Sequence, residues 1–184
     1  GRRLEDYALA AAQLAGVGDE VAAVDINLSC PNLEGRAGIF AHDVELSVEV
    51  VRAAAVCGRP LWAKLSPNTD RLVEVAGAVA EAGAEAVTLI NTVLGMVIDT
   101  DTGRAVLGRG GGGLSGAAIH PVAVRAVYDV RTAHPTLPII GVGGVTDGRS
   151  ALELLMAGAS AVQVGTATFA DPRASVNVLM DLRR

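Results

Sequence analysis

Five short apolar runs punctuate the chain, at residues 22–26, 61–65, 86–90, 139–142 and 161–164. None alternates strictly with polar residues, which is the pattern of strands buried on both faces and therefore paired in parallel. Between the runs lie segments with apolar positions at helical spacing, roughly 4–15, 44–56, 70–82, 117–132 and 149–157, and a further short one at 173–182. Ala82-Gly83-Ala84 and Ala157-Gly158-Ala159 each close a helix with a glycine and lead into a strand. Thr69-Asp70 and Asp147 stand where N-caps belong. Alternating βα units predict a parallel α/β fold.

The polar and glycine-rich motifs all follow the strands: 27–32, 64–68, Asn91-Thr92, Gly143-Gly144 and Gly165-Thr166. Chemistry collected at C-terminal strand ends is the habit of a (β/α)8 TIM barrel. Such a barrel needs eight strands and about 250 residues, whereas five strands are found here. The expectation is a barrel truncated to about its last five βα units, with residues 1–184 the C-terminal part of one domain and three N-terminal βα units missing. An open doubly wound sheet is the alternative. The longest connection, 93–115, contains Gly108-Arg109-Gly110-Gly111-Gly112-Gly113, and a loop of that length in a compact domain is usually functional.

Composition narrows the partners. Over 184 residues, 51% are hydrophobic, 19% charged and only 3% aromatic, so the core is built from Ala, Val, Leu and Ile. The formal charge is −5 with no Lys/Arg cluster, which argues against nucleic acid. No apolar stretch reaches the length of a membrane span and no signal-peptide pattern is present. Two cysteines 27 positions apart suit a reducing, cytoplasmic setting rather than a disulfide framework. Gly1 is not a native start, so the sequence is expected to continue upstream.

The candidate chemistry begins at Asn27-Leu28-Ser29-Cys30-Pro31-Asn32, directly after the first strand. A thiol there can act as a base when its thiolate is accessible, and the flanking carboxamides of Asn27 and Asn32 supply donors and acceptors for a polar ring. Of the 15 basic residues, Lys64 is the only lysine. On a buried strand its ammonium needs an anion, which favours a Schiff-base lysine or a charge set against a cofactor that becomes anionic over a snorkelling surface lysine. Four of the five asparagines, Asn27, Asn32, Asn68 and Asn91, sit just after strands and together suggest one uncharged polar pocket with Thr92. Gly141-Val142-Gly143-Gly144 and Gly165-Thr166 end the last two strands, where barrels often bind phosphate through backbone N–H groups. Cys57 reads as a small buried or half-buried hydrophobe. No His/Cys/Asp spacing resembles a metal site.

Six stretches in order, 27–32, 63–68, 90–96, 112–116, 141–145 and 164–167, resemble dihydroorotate dehydrogenase. Cysteine at position 30 resembles class 1, and Asn91-Thr92-Val93-Leu94-Gly95-Met96 resembles the NAD-linked class 1B catalytic subunit. The resemblance implies oxidation of dihydroorotate to orotate in pyrimidine biosynthesis, with Cys30 removing the C5 proton and a hydride passing from C6 to FMN. It implies that Asn27, Asn32, Asn91 and Thr92 hold the substrate. Asn27, Lys64, Ile90, Gly116, Gly143, Gly144, Gly165 and Thr166 would bind FMN, with Lys64 beside the reduced ring. It also implies a homodimer, and an electron-transfer partner subunit carrying FAD and a 2Fe–2S cluster. Three other functions compete: an FMN barrel acting on dihydropyrimidines, like dihydropyrimidine dehydrogenase; a phosphate-binding lyase or isomerase without flavin; and a non-catalytic scaffold.

Overall fold

A computed structural model describes residues 3–18, 20–29, 42–108 and 110–184. Its strands in chain order are β1 (Val24–Asn27), β2 (Leu61–Lys64), β3 (Ala86–Leu89), β4 (Val93–Met96), β5 (Gly111–Leu114), β6 (Ile139–Val142) and β7 (Ala161–Gln163). Five of them form one parallel sheet in the order β1-β2-β3-β6-β7. The helices are α1 (Leu4–Leu14), α2 (Val44–Ala54), α3 (Leu72–Glu81), α4 (His120–Ala133), α5 (Gly148–Ala157), α6 (Ala167–Ala170) and α7 (Ala174–Leu182).

The strand order follows the chain order without reversal. A doubly wound sheet reverses at a switch point and carries helices on both faces; here α1 to α5 and then α7 pack on one another in succession along one face. The curved, singly wound arrangement of a barrel wall is the result. Helix-facing strand residues Ile26, Leu61, Ala63, Val87, Leu89 and Ile139 are buried against it. The helices answer with stripes at i, i+3, i+4 and i+7: Ser47, Val50, Val51 and Ala54 on α2, and Ala123, Ala126, Val127 and Val130 on α4. Each fully buried Val or Leu contributes about 1.5–3 kcal/mol, so a largely aliphatic seam, joined by the buried Tyr7 of α1, holds the wall together.

The opposite face is the barrel lumen. Register pairs Asp25 with Trp62, Asn27 with Lys64, Lys64 with Thr88, Thr88 with Ile140 and Val142 with Gln163. Burial on both faces therefore holds along the whole length of β3 alone. Asp25 and Asn27 on the edge strand β1 are exposed, and Trp62 and Lys64 are half-buried, because the lumen side has no second layer among the described residues.

The caps explain the boundaries. Asp147 accepts from the Ser150 N–H at 2.8 Å and starts α5; Gly158, at φ 117°, ends it in the left-handed region that glycine favours. Gly83 plays the same part after α3 at φ 114°. Thr69-Asp70 does not cap α3. The Thr69 hydroxyl takes the Arg71 N–H at 3.2 Å, which delays the helix to Leu72. The 93–115 connection also differs from an irregular loop, since β4 and β5 form an antiparallel hairpin.

Candidate functional site

The wall stays zipped beyond its strands. Leu28 donates its N–H to Lys64 O at 3.1 Å, Leu65 to Thr88 O at 3.0 Å, Asn91 to Leu65 O at 3.0 Å and Ile90 to Val142 O at 2.8 Å. These bonds hold the C-terminal strand ends in register and bring together side chains 64 positions apart in sequence. The Leu89–Ile90 peptide bond is cis.

A carboxamide pair forms above the sheet. Asn91 Nδ2 donates to Asn27 Oδ1 at 3.1 Å, and the same oxygen takes the Ser29 N–H at 3.0 Å. Asn91 Oδ1 takes the Thr92 N–H at 2.7 Å. A backbone N–H can only donate, so these contacts fix both amide orientations. Both oxygens are thereby engaged within the protein, and no described residue accepts from the remaining side-chain N–H groups of Asn27 and Asn91. Such a pair suits a ligand rich in carbonyl or carboxylate oxygens. The Tyr7 hydroxyl of α1 supports it from behind by donating to Asn27 O at 2.8 Å, and the buried Ser29 donates through Oγ to Lys64 O at 3.2 Å.

Beside this pair lies a cavity of about 130 Å³ whose lining includes Lys64, Ile90, Asn91, Thr92, Ser115, Gly116, Gly143, Gly144, Gly165 and Thr166. Ligand pockets usually measure about 300–1,000 Å³, so this one has room for only one end of a ligand of that size. Its floor needs glycine. A Cβ on Gly143 (φ 142°) would stand 2.7 Å from Ala123 Cβ, and one on Gly144 (φ 66°) 2.7 Å from His120 Cβ and 2.9 Å from Gly116 O. At Gly165 a Cβ would meet nothing within 4 Å, so the space above that residue is open. No described residue accepts from the N–H groups of Gly144, Gly165 or Thr166. Backbone donors without an acceptor, on residues that line an open cavity, are what an anion requires.

The structure brings Asn27, Lys64, Ile90, Asn91, Thr92, Gly116, Gly143, Gly144, Gly165 and Thr166 to one end of the sheet. Cys30 and Asn32, and the segment that follows them, lie outside the described residues. Asn68 is a clamp: it donates to Ser66 Oγ and Thr92 O, both at 3.0 Å, and accepts from the Leu94 N–H at 2.8 Å. Cys57 is buried, as expected.

Two contributors were not evident in the sequence. His120 donates through Nδ1 to Gly143 O at 2.8 Å, while its Nε2 faces Glu153 Oε2 at 3.2 Å, tying the glycine turn to α5. Asp25 lies on the lumen face, where burial raises its carboxyl above the ordinary range; the Lys64 charge and hydrogen bonds from Thr88 and Gln163 oppose that rise. The residue keeps solvent-facing surface while the carboxyl itself is crowded. Among the described residues no group of His, Cys, Asp and Glu could hold a metal ion, and no helix is long and apolar enough to cross a membrane. Two larger clefts, about 490 and 610 Å³, lie between α3 and α4 and between α4 and α5.

Known proteins share this arrangement. The family model described as dihydroorotate dehydrogenase matches residues 1–184. A dihydroorotate dehydrogenase B (NAD(+)) catalytic subunit from Geobacter sp. (strain M21) is 46% identical over 185 residues, covering 100% of this chain and 60% of the relative. One of the same description from Bacillus pumilus (strain SAFR-032) is 42% identical, with 99% and 58% covered. The chain thus spans about 60% of the length of the curated relatives it matches. The crystal structure of DHODH from Eimeria tenella in complex with ferulenol shares the fold, with a TM-score of 0.73, 23% identity, and 94% of this chain and 52% of that one covered. A match over the full chain, on a wall whose strand-end motifs converge as the sequence led one to expect, means that the chain belongs to the dihydroorotate dehydrogenase family.

Proposed function

We propose that this chain is the C-terminal part of an FMN-binding barrel that oxidises dihydroorotate to orotate in pyrimidine biosynthesis. The observation that carries the proposal is the single cavity shared by Lys64, Asn91-Thr92 and the two glycine turns. The donor set fits FMN. Gly143, Gly144, Gly165 and Thr166 offer backbone N–H groups to the phosphate, while Ile90 and Gly116 give an apolar, close-packed wall. Lys64 supplies a compact positive charge that can approach a ring atom more closely than a planar guanidinium. Bound there, FMN would supply the acceptor for the hydride that leaves C6.

The chain's own residues do the rest. Asn27 and Asn91 present N–H donors to the substrate's oxygens, joined in this proposal by Thr92 and Asn32. Cys30 follows Ser29 in sequence, and as thiolate it takes the C5 proton, so that loss of one proton and one hydride gives the new double bond. A free thiol ionises near pH 8.5, within reach of neutral conditions, whereas a serine hydroxyl does not. The relatives' description as catalytic subunits of an NAD(+)-linked enzyme supports a partner subunit; the proposal further takes the enzyme as a cytoplasmic homodimer whose electron-transfer partner carries FAD and a 2Fe–2S cluster.

The test uses the full-length protein. Anaerobic dihydroorotate should bleach the yellow flavin, and Cys30→Ser should keep the FMN yet lose most of that reduction near neutral pH. Undiminished reduction removes Cys30 as the base. Bleaching by dihydrouracil instead would move the enzyme to the dihydropyrimidine class, and absence of flavin from the full-length protein would refute the proposal as a whole.

A further inference from the structure

Asp25 has no part in the chemistry above, yet on the lumen face of the described strands it and Lys64 are the two charged residues. Its carboxylate reaches over β2: Thr88 Oγ1, on β3, donates to Oδ1 at 3.4 Å and Oδ2 at 3.3 Å. β1 and β3 are each neighbours of β2 and not of one another, and two strand spacings amount to about 10 Å. The carboxylate therefore lies across the lumen side of β2, where that strand presents Trp62 and Lys64. Register sets the height. Asp25 is level with Trp62 and Thr88 is level with Lys64, so the bond climbs toward the base of the Lys64 side chain. Gln163 on β7 and the Lys64 charge both favour the ionised form of the same carboxylate.

We infer that Asp25 acts through Lys64: it offsets the charge of the ammonium beside the cofactor cavity and so sets the reduction potential of the flavin. The inference rests on the flavin reading of the site. With both groups ionised the pair is neutral overall; without the carboxylate, the cavity is left with an uncompensated cation. A cation stabilises the negative charge added on flavin reduction, and a carboxylate behind it opposes that effect.

The experiment measures the midpoint potential of FMN in the full-length holoprotein by equilibration with a reference dye. Asp25→Asn should raise the ratio of reduced to oxidised flavin at fixed potential about tenfold, the effect of a unit charge roughly 10 Å away at an effective dielectric constant of about 20; that is about +30 mV for a two-electron couple. Asp25→Glu, which keeps the charge, should stay within about threefold of the parent. Sulfite, which adds to the flavin ring as an anion, should bind more tightly to Asp25→Asn. An unchanged potential in a yellow Asp25→Asn protein overturns the inference and leaves the flavin reading intact, and equal shifts in both variants overturn it in favour of packing. If Asp25→Asn loses the flavin, Asp25→Glu decides: parental potential supports the inference, while a shifted or colourless Asp25→Glu overturns it. A colourless parent protein refutes the flavin reading itself, and the inference with it.

Discussion

Asn91 donates its side-chain amide to Asn27 Oδ1 at 3.1 Å, spanning β2 to join the ends of two strands that do not touch. Because Ser29 and Thr92 occupy the two amide oxygens with backbone N–H groups, the pair is preset to donate and has no need to reorient when a ligand arrives. In the full-length protein, Asn91→Ala should remove one donor to a charged ligand and release Asn27 from its brace. A hydrogen bond to a charged group contributes about 1.5–3 kcal/mol, so KM for dihydroorotate should rise roughly tenfold to a hundredfold while FMN stays bound. Steady-state kinetics with flavin absorbance as a control check this; an unchanged KM removes Asn91 from the substrate site.

Asp147 ties local helix chemistry to the same end of the wall. Its carboxylate accepts from the Ser150 N–H and Oγ, each at 2.8 Å, and the Ser150 hydroxyl takes the Asp147 N–H in return. These bonds, the backbone one first, hold its carboxyl below the ordinary carboxylate range. Asp147→Ala should cost about 1 kcal/mol, seen as a melting temperature roughly 2–4 °C lower. The pH sign follows from linkage. A depressed folded-state pKa gives stability that is full above the unfolded value, near pH 3.9, and is lost as pH falls through the lower folded one. The parent and variant should therefore differ at pH 7 and converge in acid; a gap that persists in acid would show that the carboxylate is not the cap.

The strands, most of the helix faces and the glycine turns were legible because their signals are local. Val50, Val51 and Ala54 repeat at helical spacing, and Gly158 sits where only a left-handed residue closes α5. The β4–β5 hairpin was not legible: Gly111-Gly112-Gly113 carries no side chains to reveal a strand, and pairing with Val93–Met96 supplies what propensity lacks. Asp25 and His120 escaped notice for a different reason. Each is defined by a distant partner, Thr88 63 positions away and Gly143 23 positions away, and no sequence spacing announces such a contact. Lys64 was found because it is the only lysine, a signal of composition rather than of pattern.

Gly143 and Gly165 separate the two uses of glycine at the site. Gly143 has φ 142°, and a methyl group there would press to 2.7 Å on Ala123 Cβ of α4. Gly143→Ala should destabilise the protein by about 1–3 kcal/mol, as overpacking does, with a lower melting temperature whether or not FMN is present. Gly165 has room on every side and no unusual φ, so Gly165→Ala should change apo stability by less than about 0.5 kcal/mol. Its methyl group would instead enter the space proposed for the phosphate, and FMN affinity should fall at least about tenfold. Thermal melts of the apo proteins and FMN titrations by fluorescence distinguish the two effects. If Gly165→Ala binds FMN like the parent, the phosphate does not lie against this turn, and the anion site retreats to Gly143-Gly144 alone.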